Sequence, residues 1–303
     1  MELGVAGRPS IARFGLAHSL SQRVELMRRL LAVVVCGALS LGAPLAAQTP
    51  LGPLKASGQG VTPAFEGWYK NPDGTFSLSF GYYNRNTAEA LEVPIGPDNF
   101  IEPGPKDQGQ PTHFEPRRHW GVFAVKVPAN FGDKKEVVWT IKIRGETWAI
   151  PGRLHPNWQI DALEGEGGSG NTPPSLRFSA AGPEGAGPGG IYGPPLSGKV
   201  GQAIAVNVWA KDDGKAVGSI ARDGRPGQNV TLTWFKHQGP GTVTFAPPNP
   251  RAGADDLATT TATFSEPGEY VLRVRANDAS GIAGAGHAQC CWSNAFVKVT
   301  VTR

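Results

Sequence analysis

Beyond residue 60 the chain is built from short alternating runs cut by glycine and proline, and long stretches with helical periodicity are missing. In FSLSFGY, Phe76, Leu78, Phe80 and Tyr82 share one face, while Ser77, Ser79 and Gly81 take the other. Side chains alternate along a strand, so this pattern gives one core face and one wet face. Phe123, Val125 and Val127 repeat it, as do Val137, Trp139, Ile141 and Ile143. The 41 glycines and 27 prolines among 303 residues supply the turns between runs. Asn71-Pro72-Asp73-Gly74 is one such turn, because proline presets φ and glycine accepts a positive φ. Arg144-Gly145-Glu146 makes another. The fold class that follows is all-β.

The second half carries AIAVNVWA, VTLTWF, TVTF, TTTATF, EYVLRVRA and FVKVTVT. In EYVLRVRA, Tyr270, Leu272, Val274 and Ala276 point one way and Arg273, Arg275 and Asn277 the other. Val230, Leu232 and Trp234 share a face that suits the core of a two-sheet sandwich. Tyr270, just after Pro267-Gly268, suits the corner where a Greek-key connection enters its next strand. Between the halves lies EGEGGSGNTPPS, flexible through its glycines and stiffened at its exit by Pro173-Pro174. The expected organisation is two tandem immunoglobulin-like β-sandwich domains, 60–163 and 175–303. A linker at 164–174 joins them and lets each fold separately, and residues 48–59 form a loose arm.

LTWFKHQGPGTVTF, ATFSEPGEYVLRVRANDASG and FVKVTVT, across residues 200–303, resemble extracellular immunoglobulin-like domains of the polycystic kidney disease (PKD) type. The match is to variants with a tryptophan and a GPG turn, since the WDFGDG motif is absent. The resemblance implies a sandwich that acts as a spacer, adhesin or binding module. The first domain resembles uncharacterised secreted bacterial proteins.

Export is the expected fate. From Met27 the chain reads MRRLLAVVVCGALSLGAPLAAQ, with Arg28 and Arg29 ahead of an apolar run, Leu30 to Leu41. That run is too short to cross a bilayer comfortably, and small residues near Ala46 and Ala47 suit a signal peptidase. Residues 1–47 therefore read as an upstream extension plus a cleaved signal peptide. Cys36 follows Val35, where a lipoprotein signal wants a small residue. The mature chain then has no integral membrane segment and is periplasmic or extracellular. Its basicity also falls, because Arg8, Arg13, Arg23, Arg28 and Arg29 leave with only Glu2 and Glu25. A nearly neutral chain excludes nucleic acid as an expected partner.

No GxSxG, HExxH, GxxxxGK[ST] or CxxC motif is present, so the chain is expected to be no enzyme and to need no cofactor. FEPRRHWG puts Arg117 and Arg118 beside Trp120, a pattern that can bind an anion or an acidic sugar, or simply form a solvated loop. Trp68, Tyr69, Tyr82, Tyr83, Trp148, Trp158 and Trp209 add many rings for this length. Trp209 lies opposite its strand's apolar series. Such rings stack on sugars or seal a domain interface. Arg117, Arg118, Trp120 and Trp209 are thus the candidate ligand set, for an unknown protein or glycan partner. In HAQCCWSN, His287, Cys290 and Cys291 are candidate ligands for a soft metal. Alternatively, Cys290 and Cys291 close a strained vicinal disulfide in irregular backbone that anchors Trp292, with the last strand starting near Ala295. Asp212-Asp213 and Asn277-Asp278 can jointly hold Ca²⁺ or serve as turn residues.

Overall fold

The computed structural model describes residues 54–160, 170–215, 230–278 and 291–303. Residues 1–53, which carry the expected export segment, lie outside them, as do residues 164–169 of the expected linker. The first half holds β1 (Val61–Lys70), β2 (Phe76–Asn84), β3 (Leu91–Glu92), β4 (Asn99–Glu102), β5 (His113–Phe114), β6 (Arg117–Val127), β7 (Val137–Ile143) and β8 (Glu146–Gly152). One sheet runs β1-β2-β6 and another β4-β7-β8, with β3 and β5 paired alone. Leu78, Phe80, Tyr82, Phe123 and Val125 go inward to meet Ile101, Trp139 and Ile141. Trp139 sits edge-on to Phe123 at 5.0 Å and donates its N–H to Asn99 Oδ1 at 3.0 Å. That bond satisfies the polar tip of a ring buried in the core. At the β7–β8 turn, Arg144 has φ 52° and Gly145 φ 79°. Two positive values make a type I′ turn, whose twist matches the strands it joins.

The second half holds β9 (Ser175–Arg177), β10 (Ile191–Tyr192), β11 (Leu196–Lys199), β12 (Ile204–Lys211), β13 (Thr231–Gln238), β14 (Val243–Ala246), β15 (Leu257–Phe264), β16 (Gly268–Asn277) and β17 (Trp292–Thr302). One sheet is ordered β14-β15-β12-β9 and the other β10-β17-β16-β13, with β11 also on β17. β10 and β11 run parallel to β17, and the other pairs are antiparallel. This is the order of an immunoglobulin-like sandwich. Leu232, Trp234, Tyr270, Leu272 and Val274 are all buried in its core, as the alternation predicts. Tyr270 O–H donates to Glu266 O at 2.7 Å, closing a tyrosine corner. The last strand starts at Trp292 rather than near Ala295, because Trp292 to Asn294 continue the pairing with Ala276 and its neighbours.

The faces that read as wet are in part dry. Ser77, Ser79 and Gly81 on β2 are buried, and so are Arg273 and Asn277 on β16. Gly81 is covered within the first half, by Glu66 and Arg118. Ser77 and Arg273 face a seam between the halves. The outer face of β13-β16-β17 packs on the first half, and Phe296 joins that half's core. His237 O accepts from Thr112 N at 2.9 Å, and Gln238 Nε2 donates to Gln110 O at 2.7 Å. Asn294 Nδ2 donates to Gly121 O at 2.6 Å, and Gly189 N to the Tyr69 hydroxyl at 2.8 Å. Serine and glycine on β2 let a neighbouring backbone approach closely, and their small polar side chains look like a solvated face in sequence. Residues 54–303 form one compact unit. Among the described residues, no helix is long and apolar enough to cross a membrane.

Candidate functional site

Arg117, Arg118 and Trp120 lie together at the start of β6, while Trp209 lies on β12 between Arg177 and Leu257. Arg118 is engaged internally. Its guanidinium reaches buried Glu66 and donates to Tyr82 O and His119 O at 3.0 and 3.1 Å. It also lies 5.1 Å over the Trp120 ring. Burial lifts the Glu66 carboxyl to about 7, with Arg118 pulling the other way. Arg117, at φ 74°, stacks 5.3 Å over Tyr83. Cys291 is buried against Tyr69 and Ile160 and is disulfide-bonded. Cys290 and His287, the other two residues of that set, lie outside the described residues. Asp278 Oδ2 accepts from Asn171 and Asp213 Oδ2 from Thr172, so part of the oxygen-rich end serves as turn and loop partners. No group of three His, Cys, Asp or Glu suited to a metal ion occurs among the described residues.

Most perturbed groups lie in the seam. His113 sits between Glu92 at 2.6 Å and Glu115 at 3.1 Å. Burial works against its proton, but the two carboxylates outweigh that and raise its pKa. Lys236 reaches Glu92 at 2.7 Å. Burial, helped by Arg273 and Arg275, lowers His119 to about 4. Burial and Arg273 lower His237 to about 3, and its Nε2–H donates to Gly109 O at 2.8 Å. Both rings are therefore neutral structural groups near pH 7.

A groove of about 370 Å³ opens between the edge strands β1 and β8 of the first sandwich. Pro63, Ala64, Phe65, Ile150, Pro151, Arg153 and Trp158 line it. A bulge between Phe65 and Gly67 shapes β1 there. Gly67 has φ 131°, and a β-carbon on it would collide with Trp158 O and Ile160. Glycine thus lets a short 3₁₀ turn, Pro156–Trp158, lie against the strand. His155 caps that turn, and Trp68 Nε1 donates to His155 O at 2.8 Å. Trp158 ends 44 % exposed, its ring centroid 5.9 Å from that of Phe65. Arg153 donates to Glu136 Oε1 at 3.3 Å on the rim.

No family model matches the chain, and no curated protein matches it. Among solved structures, the D00-D0 domain of intimin overlaps 80 % of this chain and 100 % of its own, at 11 % identity and TM-score 0.26. The Yersinia pseudotuberculosis adhesin InvE overlaps 80 % of this chain at 13 % identity and TM-score 0.24. Domains 4 and 5 of the S-layer protein SbsC overlap 56 % at 14 % identity and TM-score 0.22. The chain spans 58 % of the InvE chain and 66 % of the SbsC fragment. Superpositions this loose leave ligand and partner unspecified.

The groove offers one place where a ligand can sit. Its rings and prolines offer stacking area at small entropic cost, and the Arg153–Glu136 pair offers directional polar groups. Among the described residues Arg153 is the one titratable side chain in the lining, and it is paired with the Glu136 carboxylate beside the groove. Sequence alone did not single out this groove. Trp158 stood among the surplus aromatics, but Phe65 and Ile150 read as ordinary strand residues.

Proposed function

We propose that this chain is an exported, non-catalytic binding protein: a two-sandwich body that engages its ligand at the Trp158 groove. The carrying observation is that groove's composition: exposed aromatic and proline surface with one arginine–carboxylate pair beside it. Export is supported by the signal-like segment at Met27 to Gln48 and by the disulfide on Cys291, a bond at home in oxidising compartments. The PKD-type resemblance of residues 200–303 fits the same role.

A glycan is the ligand we favour. A sugar's C–H face stacks on an exposed indole, and its hydroxyls suit an arginine–carboxylate rim. Arg118 suits a ligand less well, because Glu66, Tyr82 and His119 already occupy its donors. Tryptophan fluorescence during titration with soluble oligosaccharides tests the proposal, with Trp158→Ala alongside. Saturable quenching in the natural protein and none in the variant is expected. Equal quenching in both would move the site elsewhere. No quenching, combined with Trp158-dependent capture of an extended peptide, would replace the glycan by a protein ligand.

A further inference from the structure

The seam holds more cations than its carboxylates neutralise. Glu92 is shared by Lys236 and His113, and Glu115 is taken by His113. Arg273 and Arg275 face the same region from β16, and neither forms an ion pair with any described residue. Arg273 is 2 % exposed. Its one hydrogen bond goes from Nη1 to Asn294 Oδ1 at 3.3 Å, and no described acceptor reaches its buried Nε. Burial and the neighbouring Arg275 charge lower its pKa to about 9, which still leaves it charged near neutral pH. Both guanidinium groups lie over Phe235, at 4.5 and 5.4 Å from the ring centroid. The ring face relieves part of the charge but accepts nothing along the Nε–H direction. His119 packs edge-to-face on the same ring at 5.8 Å.

An unpaired buried guanidinium is costly unless an opposite charge or a set of acceptors answers it. We propose that the seam binds a small monovalent anion of the halide class, held by Arg273 Nε–H and by the charge of Arg275. The packed surroundings of Arg273 limit the ligand to a compact ion. Arg275 is only half-buried and gives the ion a path from solvent. Its Nε donates to Asn277 Oδ1 at 3.0 Å, which leaves the outer guanidinium nitrogens for the ion. Such an anion would neutralise the junction between the sandwiches and help fasten them together. This site is separate from the groove and stands or falls apart from it.

Chloride-35 line broadening on the mature protein tests the proposal, with Arg273→Met keeping side-chain bulk but removing the charge and donors. The natural protein is expected to show excess broadening that saturates with added chloride. In Arg273→Met the apparent affinity should fall at least about tenfold, the effect of one lost charge-assisted hydrogen bond. Circular dichroism checks that the variant folds. If it does not, Arg275→Met, on a half-buried side chain, decides by the same loss. Non-saturable broadening in the natural protein, or broadening unchanged in the folded variant, overturns the site.

Discussion

Trp234 is a large aromatic side chain of the second core. It is buried on β13 and stacks 6.0 Å from Phe245. Trp234→Ala should cost about 3–5 kcal/mol in a urea titration, the usual loss for a large core aromatic. A loss under about 1 kcal/mol would belong to a surface residue instead. Buried His237 and half-buried His119 set a pH dependence. Unfolded, each ring has a pKa near 6.5; folded, His119 falls to about 4 and His237 to about 3. A depressed folded pKa means that their stability is fully present above pH 6.5. It is lost as pH falls toward those values, because the unfolded chain takes up protons that the folded one refuses. Glu66 runs the other way, since its raised pKa favours the folded state as pH falls from about 7 toward 4.5. His119→Phe should therefore flatten the fall in stability between pH 6.5 and 4, by about one proton of slope. An unchanged slope would mean that His119 titrates normally. Cys291 adds a redox test. We propose Cys290 as its disulfide partner, so exported protein should show no alkylatable thiol until reduced, and two afterwards. Two free thiols without reductant would contradict that pairing.

Among the elements, β6 and β17 meet most closely at Gly121, which has φ 48°. A β-carbon there would collide with the Trp292 ring, whose Nε1 donates to Gly121 O at 3.3 Å. Gly121→Ala combines a left-handed backbone penalty of about 1–2 kcal/mol with displacement of that ring. It should destabilise the chain by at least that amount and shift the tryptophan emission to the red. An unshifted spectrum would show that Trp292 does not rest on Gly121. The cores of both sandwiches were legible in sequence, since Leu232, Trp234, Tyr270 and Leu272 alternate cleanly. The seam was not. Arg273 and Arg275 alternate just as well, and a charged face reads as solvated unless the loop that covers it is known. The groove was hidden for a similar reason: Phe65, Ile150 and Trp158 come from three elements far apart in the chain, and no local pattern links them.

For the whole molecule, glycines 165, 167, 168 and 170 on their own predict two halves that fold independently. The seam implies more coupling than such a linker suggests, because it buries Phe296 in the first core and joins β13 to the first half by the Thr112–His237 backbone hydrogen bond. Protease should then cut the linker without releasing either half. From that seam follows the burial of Arg273. Scanning calorimetry of the mature protein tests it most directly. The seam predicts one transition, with equal calorimetric and van't Hoff enthalpies. Two separable transitions, each matching an isolated half, would contradict it.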